Sequence, residues 1–373
     1  MANALLFTQQ TVGLGARKTS MVFLAEALAA KGWETSVVTG QLSRLTRLKR
    51  DHRLTGIRPD QCNCWYDAGP MQGYVWVPLV HPFKAGSDFA NALTAPLLPL
   101  YSAQLPKAIR DRVRHADLII IESCVAAVLF QRVRKAAPQA HIVYSMSDRL
   151  DVVGMHPNVH RTLLRDGPDY DLIRVPAQAL LDDIPGAKSA WIPHGIDSGV
   201  FDRASQSPFD GGVNAVLAGD MMLDQAGLGV LARAFPGIRF HYFGRTVLAA
   251  PALPPNLTQW GEVPFDQLAA FIRHADVGLA LYLHKPGLEY IAQSSLKAIQ
   301  YRYCGLAIVT PHFATSSSGA FFGYDPGDAN SMMAAMRRAL DHQRGTDTRV
   351  GILQWDAVVD QIIARLGLAE ALS

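Results

Sequence analysis

Cysteine is scarce in this chain: four residues in 373, at Cys62, Cys64, Cys124 and Cys304. None forms a C-x-x-C pair, and no spacing suits zinc. Cys62-Asn63-Cys64 comes nearest to a metal pair and reads as two ordinary reduced thiols. Long apolar runs are also missing. No stretch reaches the ~18 apolar residues needed to cross a bilayer. The best candidate, 89–105, is broken by Pro96 and Pro99. No basic region followed by an apolar one opens the chain, so no signal peptide is expected, and a cytoplasmic location follows as an expectation. Glycine and proline are ordinary and charge is modest, which excludes collagen, coiled coil and a disordered chain.

What is present is length and alternation. At ~150 residues per domain, 373 residues suggest two domains. Short apolar runs at 4–7, 35–38, 117–121, 141–144, 172–175 and 190–192 alternate with helix-like stretches such as 19–31, which Gly32 would cap. Continuous apolar strands of this kind suit a parallel sheet covered on both faces. Residues 197–212 are polar, carry no apolar period and read as a linker. A second series follows: strands at 215–218, 239–243, 277–281 and 307–310, and helices at 225–235, 265–274 and 294–304. The fold class is therefore α/β, with two Rossmann-like doubly wound domains at 1–200 and 201–373 and a cleft expected between them. The last helical stretch, 353–366, is expected to cross back to the first domain. Ligands in such sheets bind outside the carboxyl ends of the strands.

Charge is unevenly spread. Residues 1–200 hold 22 Lys+Arg against 17 Asp+Glu, and residues 201–373 hold 13 against 15. Arg44, Arg47, Lys49, Arg50 and Arg53 cluster with His52. Such a cluster suits a phosphorylated substrate or an anionic membrane, and the bland reading is a solvated helix face. Apolar residues at 74–79 and at Leu93, Leu97, Leu98, Leu100 and Tyr101 favour a membrane surface, or else are core. No nucleic-acid motif is present, and the acidic C-terminal half argues against such a partner.

Several short motifs carry chemistry. Gly13-Leu14-Gly15-Ala16-Arg17-Lys18-Thr19 fails both the dinucleotide and the P-loop patterns. It leaves two cations at a helix start, a place for an anionic or sugar ligand. Asp169-Tyr170-Asp171 spells D-x-D, but a strand-entry turn explains it better, so no metal is predicted. Asp148 ends a buried strand and would be ionised at neutral pH with an ordinary pKa of ~3.9, as a base must be. Its bland reading is a helix N-cap. Gly195, after His194, suits a tight turn between the domains. The strongest constellation is Ser294-Ser295-Leu296-Lys297 with Gln300. Ser294 suits an N-cap. The free N–H groups, the helix dipole and Lys297 then form a diphosphate cradle without a Gly-rich loop. Gln300 shares the Lys297 face.

These segments resemble the xanthan-pathway glucuronosyltransferases, inverting enzymes of the GT-B fold that act on polyprenyl-diphosphate-linked sugars. The resemblance runs nearly end to end. It includes Ser43-Arg44-Leu45, His81-Pro82-Phe83, Glu122-Ser123, Ser147-Asp148, His194-Gly195-Ile196-Asp197, Gly261-Glu262, Ser294-Ser295-Leu296-Lys297 with Gln300-Tyr301, and Phe322-Gly323-Tyr324. It implies that Asp148 is the general base. It implies that Lys297, Gln300 and Tyr282 contact the donor, with Met221, Glu262 and Val263 lining the nucleotide. It also implies UDP-glucuronate as a substrate, no metal or other cofactor, and a peripheral place on the cytoplasmic face of the bacterial inner membrane. The stretch 283–293 departs from the family's pattern, as does Arg149, where the family has glycine. A sphingan-type pathway, which also adds glucuronate early, is the expected setting.

The mechanism expected is one displacement, with Asp148 taking the acceptor proton and Lys297 stabilising the leaving UDP. Arg17, Arg44, Arg47, Lys49, His81 and His194 are candidates for the acceptor or the membrane. Two rivals share the architecture: a UDP-sugar 2-epimerase, which needs no lipid acceptor, and a non-catalytic sugar-binding protein, which has no use for Asp148.

Overall fold

The structure is a computed structural model that describes residues 1–13, 18–44, 57–248, 253–345 and 347–368. The chain forms two compact units. The first is mostly Thr19–Pro193, joined by the N-terminal strand and by the segment that starts at Trp355; the second is His194–Gln354.

Among the described residues the first unit holds an eight-stranded sheet: β1 (Asn3–Thr8), β2 (Glu34–Thr39), β3 (Trp65–Ala68), β4 (Met71–Val75), β5 (Leu118–Glu122), β6 (His141–Ser145), β7 (Leu172–Val175) and β8 (Ser189–Trp191). Their order is β3-β4-β2-β1-β5-β6-β7-β8, and only the β3–β4 pair is antiparallel. Ile119–Ile121 and Ile142–Tyr144 are fully buried, as strands covered on both faces require. The strand order reverses between β1 and β5, so Thr8 and Glu122 mark a switch point where the carboxyl ends diverge.

The first helix, α1 (Ser20–Ala30), ends as its sequence suggests. Gly32 takes φ +87°, its N–H donates to Ala29 O, and Trp33 N–H reaches back to Leu28 O. Two short helices, α2 (Asp88–Thr94) and α3 (Leu97–Ala103), lead towards β5, and α4 (Pro157–Asp166) follows β6. The run at 74–79 divides: Tyr74, Val75, Trp76 and Val77 are core, Trp76 lying 4.4 Å from the Tyr101 ring, and only Leu79 is exposed. Leu98 and Tyr101 are likewise buried, whereas Leu93 and Leu100 are exposed.

The second unit carries β9 (Gly195–Ile196), β10 (Val213–Ala218), β11 (Ile238–Phe243), β12 (Leu257–Gln259), β13 (Val277–Leu279), β14 (Ala307–Pro311), β15 (Phe321–Tyr324) and β16 (Leu353–Gln354). Six of these make an all-parallel sheet ordered β12-β11-β10-β13-β14-β15, with its switch point between β10 and β13. β9 pairs with β16, so the chain enters and leaves this unit on adjacent strands. Gly195 is therefore strand, not turn: ladder pairing with Leu353 fixes it extended. The expected linker at 197–212 is only partly irregular, because α5 (Ser198–Arg203) buries Phe201 against Phe265 and Tyr303. The last described helix spans Trp355–Leu366 and belongs to the first unit. There Trp355 stacks on Phe23 of α1 at 5.7 Å, and Lys31 bridges Asp360 at 2.7 Å.

Between β13 and β14 the chain forms α6 (Ile291–Ser294) and α7 (Leu296–Tyr303). Tyr301 of α7 is driven between β10 and β13. Its hydroxyl accepts from Ala218 N–H at 3.1 Å and donates to Val216 O at 3.2 Å. Its ring needs Gly278, where any Cβ would overlap it. Tyr301→Phe leaves the buried Ala218 N–H without its acceptor and should cost about 1–3 kcal/mol. Urea unfolding of the full chain should show an earlier midpoint; an unchanged midpoint refutes the pinning role.

Candidate active site

The pinned helix α7 starts one residue later than its sequence suggests. Ser295, not Ser294, is the N-cap: its hydroxyl accepts from Ala298 N–H at 3.3 Å, while Ser294 closes α6 and is buried. The correction has a local cause, since a second short helix ends on the first of two adjacent serines. Ser295 also bonds the Tyr282 hydroxyl at 2.7 Å. Lys297 Nζ stands 5.0 Å from the centre of the Tyr282 ring, within cation–π range. A Cβ at Gly219 would lie 3.8 Å from that same Nζ, so the ammonium hangs beside the end of β10. Helix N-terminus, ammonium and tyrosine thus meet at the switch point of the second sheet, where an anion is favoured.

The loop after β10 is zipped to the loop after β13. Leu223 bridges Tyr282, and Leu283 N–H donates to Met222 O at 2.7 Å. Met222 takes φ +48°, a left-handed conformation that non-glycine residues adopt at a cost. Beside it, Asp220 Oδ1 accepts from the Tyr242 hydroxyl at 2.6 Å and from Thr246 N–H at 2.9 Å. Gly244 must lack a Cβ for this to fit, since one would overlap both Asp220 and Tyr242. Arg245 Nε lies 3.7 Å from Asp220 Oδ2 and 3.5 Å from Glu262 Oε1. Burial alone would raise the Asp220 carboxyl; hydrogen bonds from Tyr242 and from the Thr246 and Arg245 amides outweigh it and hold the group below its ordinary value. Sequence reasoning reached Met221 and Glu262 but missed Asp220, Tyr242 and Arg245. Tyr282, Ser295 and Lys297 are brought into contact. Val263 follows Glu262 on the loop after β12, and Leu296 and the buried Gln300 lie on α7.

In the first unit, Asp148 lies three residues beyond the carboxyl end of β6 and is half-buried. It is no helix cap: the next helix, α4, starts at Pro157, and His156 Nδ1 caps it by accepting from Asn158 N–H at 3.1 Å. A hydroxyl holds the segment instead. Ser123 Oγ accepts from Ser147 N–H at 3.0 Å and from Asp148 N–H at 3.1 Å. Ser147 Oγ in turn meets Ser20 Oγ of α1 at 3.3 Å. One residue before Ser123, the buried Glu122 accepts from the Thr8 hydroxyl at 2.5 Å and from Gln9 N–H at 3.2 Å, tying β5 to β1. Arg149, beside the carboxylate, forks onto Asp183 at 2.6 and 2.7 Å.

The remaining candidates fall elsewhere. Arg17, Arg47 and Lys49 lie outside the described residues. Arg44 is exposed, with its amide bonded to Pro78 O. His81 Nδ1 contacts Pro82 O at 2.8 Å, and His194 is buried at the first residue of the second unit. Asp171 of the D-x-D spelling sits at the entry of β7, accepting from Ile142 N–H at 2.7 Å and bridging Arg134 at 2.6 Å. Among the described residues no group of three or more His, Cys, Asp or Glu is placed to hold a metal.

The Asp220 geometry carries a pH dependence. A carboxyl held low in the folded state stabilises it above the unfolded value of ~3.9, and that stability is lost as pH falls through the folded value. Asp220→Asn should therefore lower the melting temperature at pH 7. The gap to wild type should close only below about pH 4, and a gap independent of pH down to acid refutes the assignment.

Comparison with known proteins bears on this arrangement. Residues 6–176 match the family model of the glucuronosyltransferase GumK, N-terminal domain. The chain is 29% identical over 348 residues to the UDP-glucuronate:glycolipid 2-beta-glucuronosyltransferase of Xanthomonas campestris pv. campestris, covering 93% of this chain and 86% of that one. Among solved structures, the trehalose-6-phosphate synthase OtsA gives a TM-score of 0.65 at 14% identity, covering 97% of this chain and 98% of the other. A glycosyltransferase from Rickettsia africae gives 0.53 at 12%, covering 100% and 96%. At such identities the structural likeness establishes the fold, which is GT-B, with two Rossmann-like domains. The match over residues 6–176 and the similarity along 93% of the chain together support a GumK-like family.

Proposed function

We propose that the protein is a glycosyltransferase that moves glucuronic acid from UDP-glucuronate to a polyprenyl-diphosphate-linked sugar, inverting the anomeric centre, in bacterial exopolysaccharide synthesis of the sphingan type. The observation that carries this reading is the similarity along 93% of the chain to a glycolipid glucuronosyltransferase. The second unit supports it, because Lys297, the Ser295-capped helix and Tyr282 meet at the switch point where a diphosphate is stabilised.

In the proposed reaction the acceptor hydroxyl oxygen attacks the anomeric carbon. Asp148 takes the hydroxyl proton, the bond from that carbon to the β-phosphate oxygen breaks, and UDP leaves with the electron pair. One such displacement converts an α-linked donor into a β-linked product. General-base assistance is typically worth ~10²–10⁴-fold. Lys297 and the N–H groups of α7 take up the charge that grows on the leaving diphosphate, which gives metal-free transfer a physical basis. The acceptor's lipid brings the protein to a membrane surface. Its first unit leaves large apolar side chains in water that suit such a surface: Phe89 is 77% and Leu93 67% exposed, four residues apart on one face of α2, with Leu79 61% exposed nearby in sequence. A peripheral place on the cytoplasmic face of the inner membrane follows.

The decisive assay is transfer of label from UDP-glucuronate to a lipid extract carrying polyprenyl-diphosphate saccharides. Wild type should label the lipid phase with or without EDTA. Asp148→Asn should abolish transfer, and Lys297→Ala should lower it by about 10²-fold or more. Undiminished transfer by Asp148→Asn removes the base assignment. Binding of UDP without transfer from any nucleotide sugar points instead to an epimerase or a binding protein. Ser123→Ala releases the two amides that seat Asp148. It should lower kcat about 10- to 100-fold with KM little changed, and equal kcat in steady-state assays refutes that role.

A further inference from the structure

Arg245 stands between two carboxylates from different loops of the second unit. Asp220 follows β10, Arg245 follows β11, and Glu262 follows β12. Asp220 is itself fixed, by the Tyr242 hydroxyl at 2.6 Å and the Thr246 amide at 2.9 Å. The loops are joined by backbone as well, through Gly244 N–H to Gly261 O at 3.0 Å and Gly219 N–H to Phe243 O at 2.7 Å. Among the described residues the Glu262 side chain forms an ion pair with Arg245 at 3.5 Å, and about a third of that side chain is exposed. We propose that Arg245 is a positioning residue for nucleotide recognition, transmitting the fixed geometry of Asp220 to Glu262 so that the Glu262 carboxylate is presented to the ribose hydroxyls of a uridine nucleotide. This rests on the donor-site reading above.

The chemistry favours this assignment. A carboxylate is the natural acceptor for a pair of vicinal hydroxyls, and it must be ionised and oriented to take both. Left alone, two carboxylates on neighbouring loops would also repel an incoming diphosphate. A guanidinium placed between them offsets that repulsion while leaving one face of Glu262 open. Arg245 is itself about one-third exposed, so the pair is worth little to folding stability and its value lies in orientation.

The test is binding of uridine and of UDP to the full chain by titration calorimetry, with no acceptor and no turnover. Arg245→Gln should weaken both ligands by the same factor, about three- to tenfold, because both carry the ribose. Arg245→Lys, which keeps the charge between the carboxylates, should recover most of the loss. Glu262→Gln should weaken binding comparably, and the double variant should be no weaker than Glu262→Gln alone. Melting temperatures of the Arg245 variants should stay at the wild-type value. Wild type that binds no UDP overturns the donor-site reading and the proposal together. Wild type that binds UDP, with Glu262→Gln weaker but Arg245→Gln unchanged or additive with it, overturns the proposal alone. Loss confined to UDP, with uridine unaffected, overturns positioning in favour of direct charge contact with the diphosphate.

Discussion

The second unit depends on one side chain in one gap. Tyr301 enters between β10 and β13, and Gly278 is the absence that lets it in. A doubly wound sheet opens at its switch point because the strands on either side are followed by helices on opposite faces. Something must fill that opening, or buried amides are left unpaired. Tyr301 fills it with a ring and satisfies Ala218 N–H and Val216 O with its hydroxyl. Lys297 stands one turn earlier on the same helix, so fastening Tyr301 also fixes where the ammonium and the capped helix start can stand.

The first unit solves the same problem with different chemistry. Its switch point is closed by Glu122, whose carboxylate holds the Thr8 hydroxyl and the Gln9 amide where β1 ends. The next residue, Ser123, accepts the two amides that lead into Asp148. A buried carboxylate is costly unless several donors meet it, and here the donors come from the strand that must be tied down. Order at the carboxyl end of β5 is thereby passed to the segment that bears the candidate base.

Much of this was legible in the sequence, for identifiable reasons. Continuous apolar runs such as Ile119–Ile121 announce buried parallel strands, and the distribution of such runs announces two sheets. Gly32 marks the end of α1 because a left-handed residue is needed there. Other features were not legible. Two adjacent serines leave the N-cap of α7 undecided until a short helix claims Ser294. An apolar run such as 74–77 reads alike for core and for membrane; only the pairing of β4 with β2 and β3 buries it. Glu262 was reached only through the resemblance, and its grouping with Asp220 and Arg245 was invisible because the three lie on separate loops with no period linking them.

The two switch points share a topology and differ in charge, and that difference carries more functional meaning than the fold does. One is lined by hydroxyls and carboxylates; the other adds an ammonium and a helix N-terminus, and its loop carboxylates Asp220 and Glu262 are met by Arg245. A displacement that takes a proton from a hydroxyl and releases a diphosphate needs both kinds of environment. In the proposed reading it helps to carry them on separate sheets, because a base carboxylate beside an ammonium would be held down in basicity. Two sheets, each with its own switch point, let the chain tune each set of groups separately. A close structural likeness to trehalose-6-phosphate synthase at 14% identity is therefore no guide to the chemistry. The same pair of sheets accepts any base and any anion cradle built on its carboxyl ends; in the proposed reading these are Asp148 beyond β6 and Lys297 on α7.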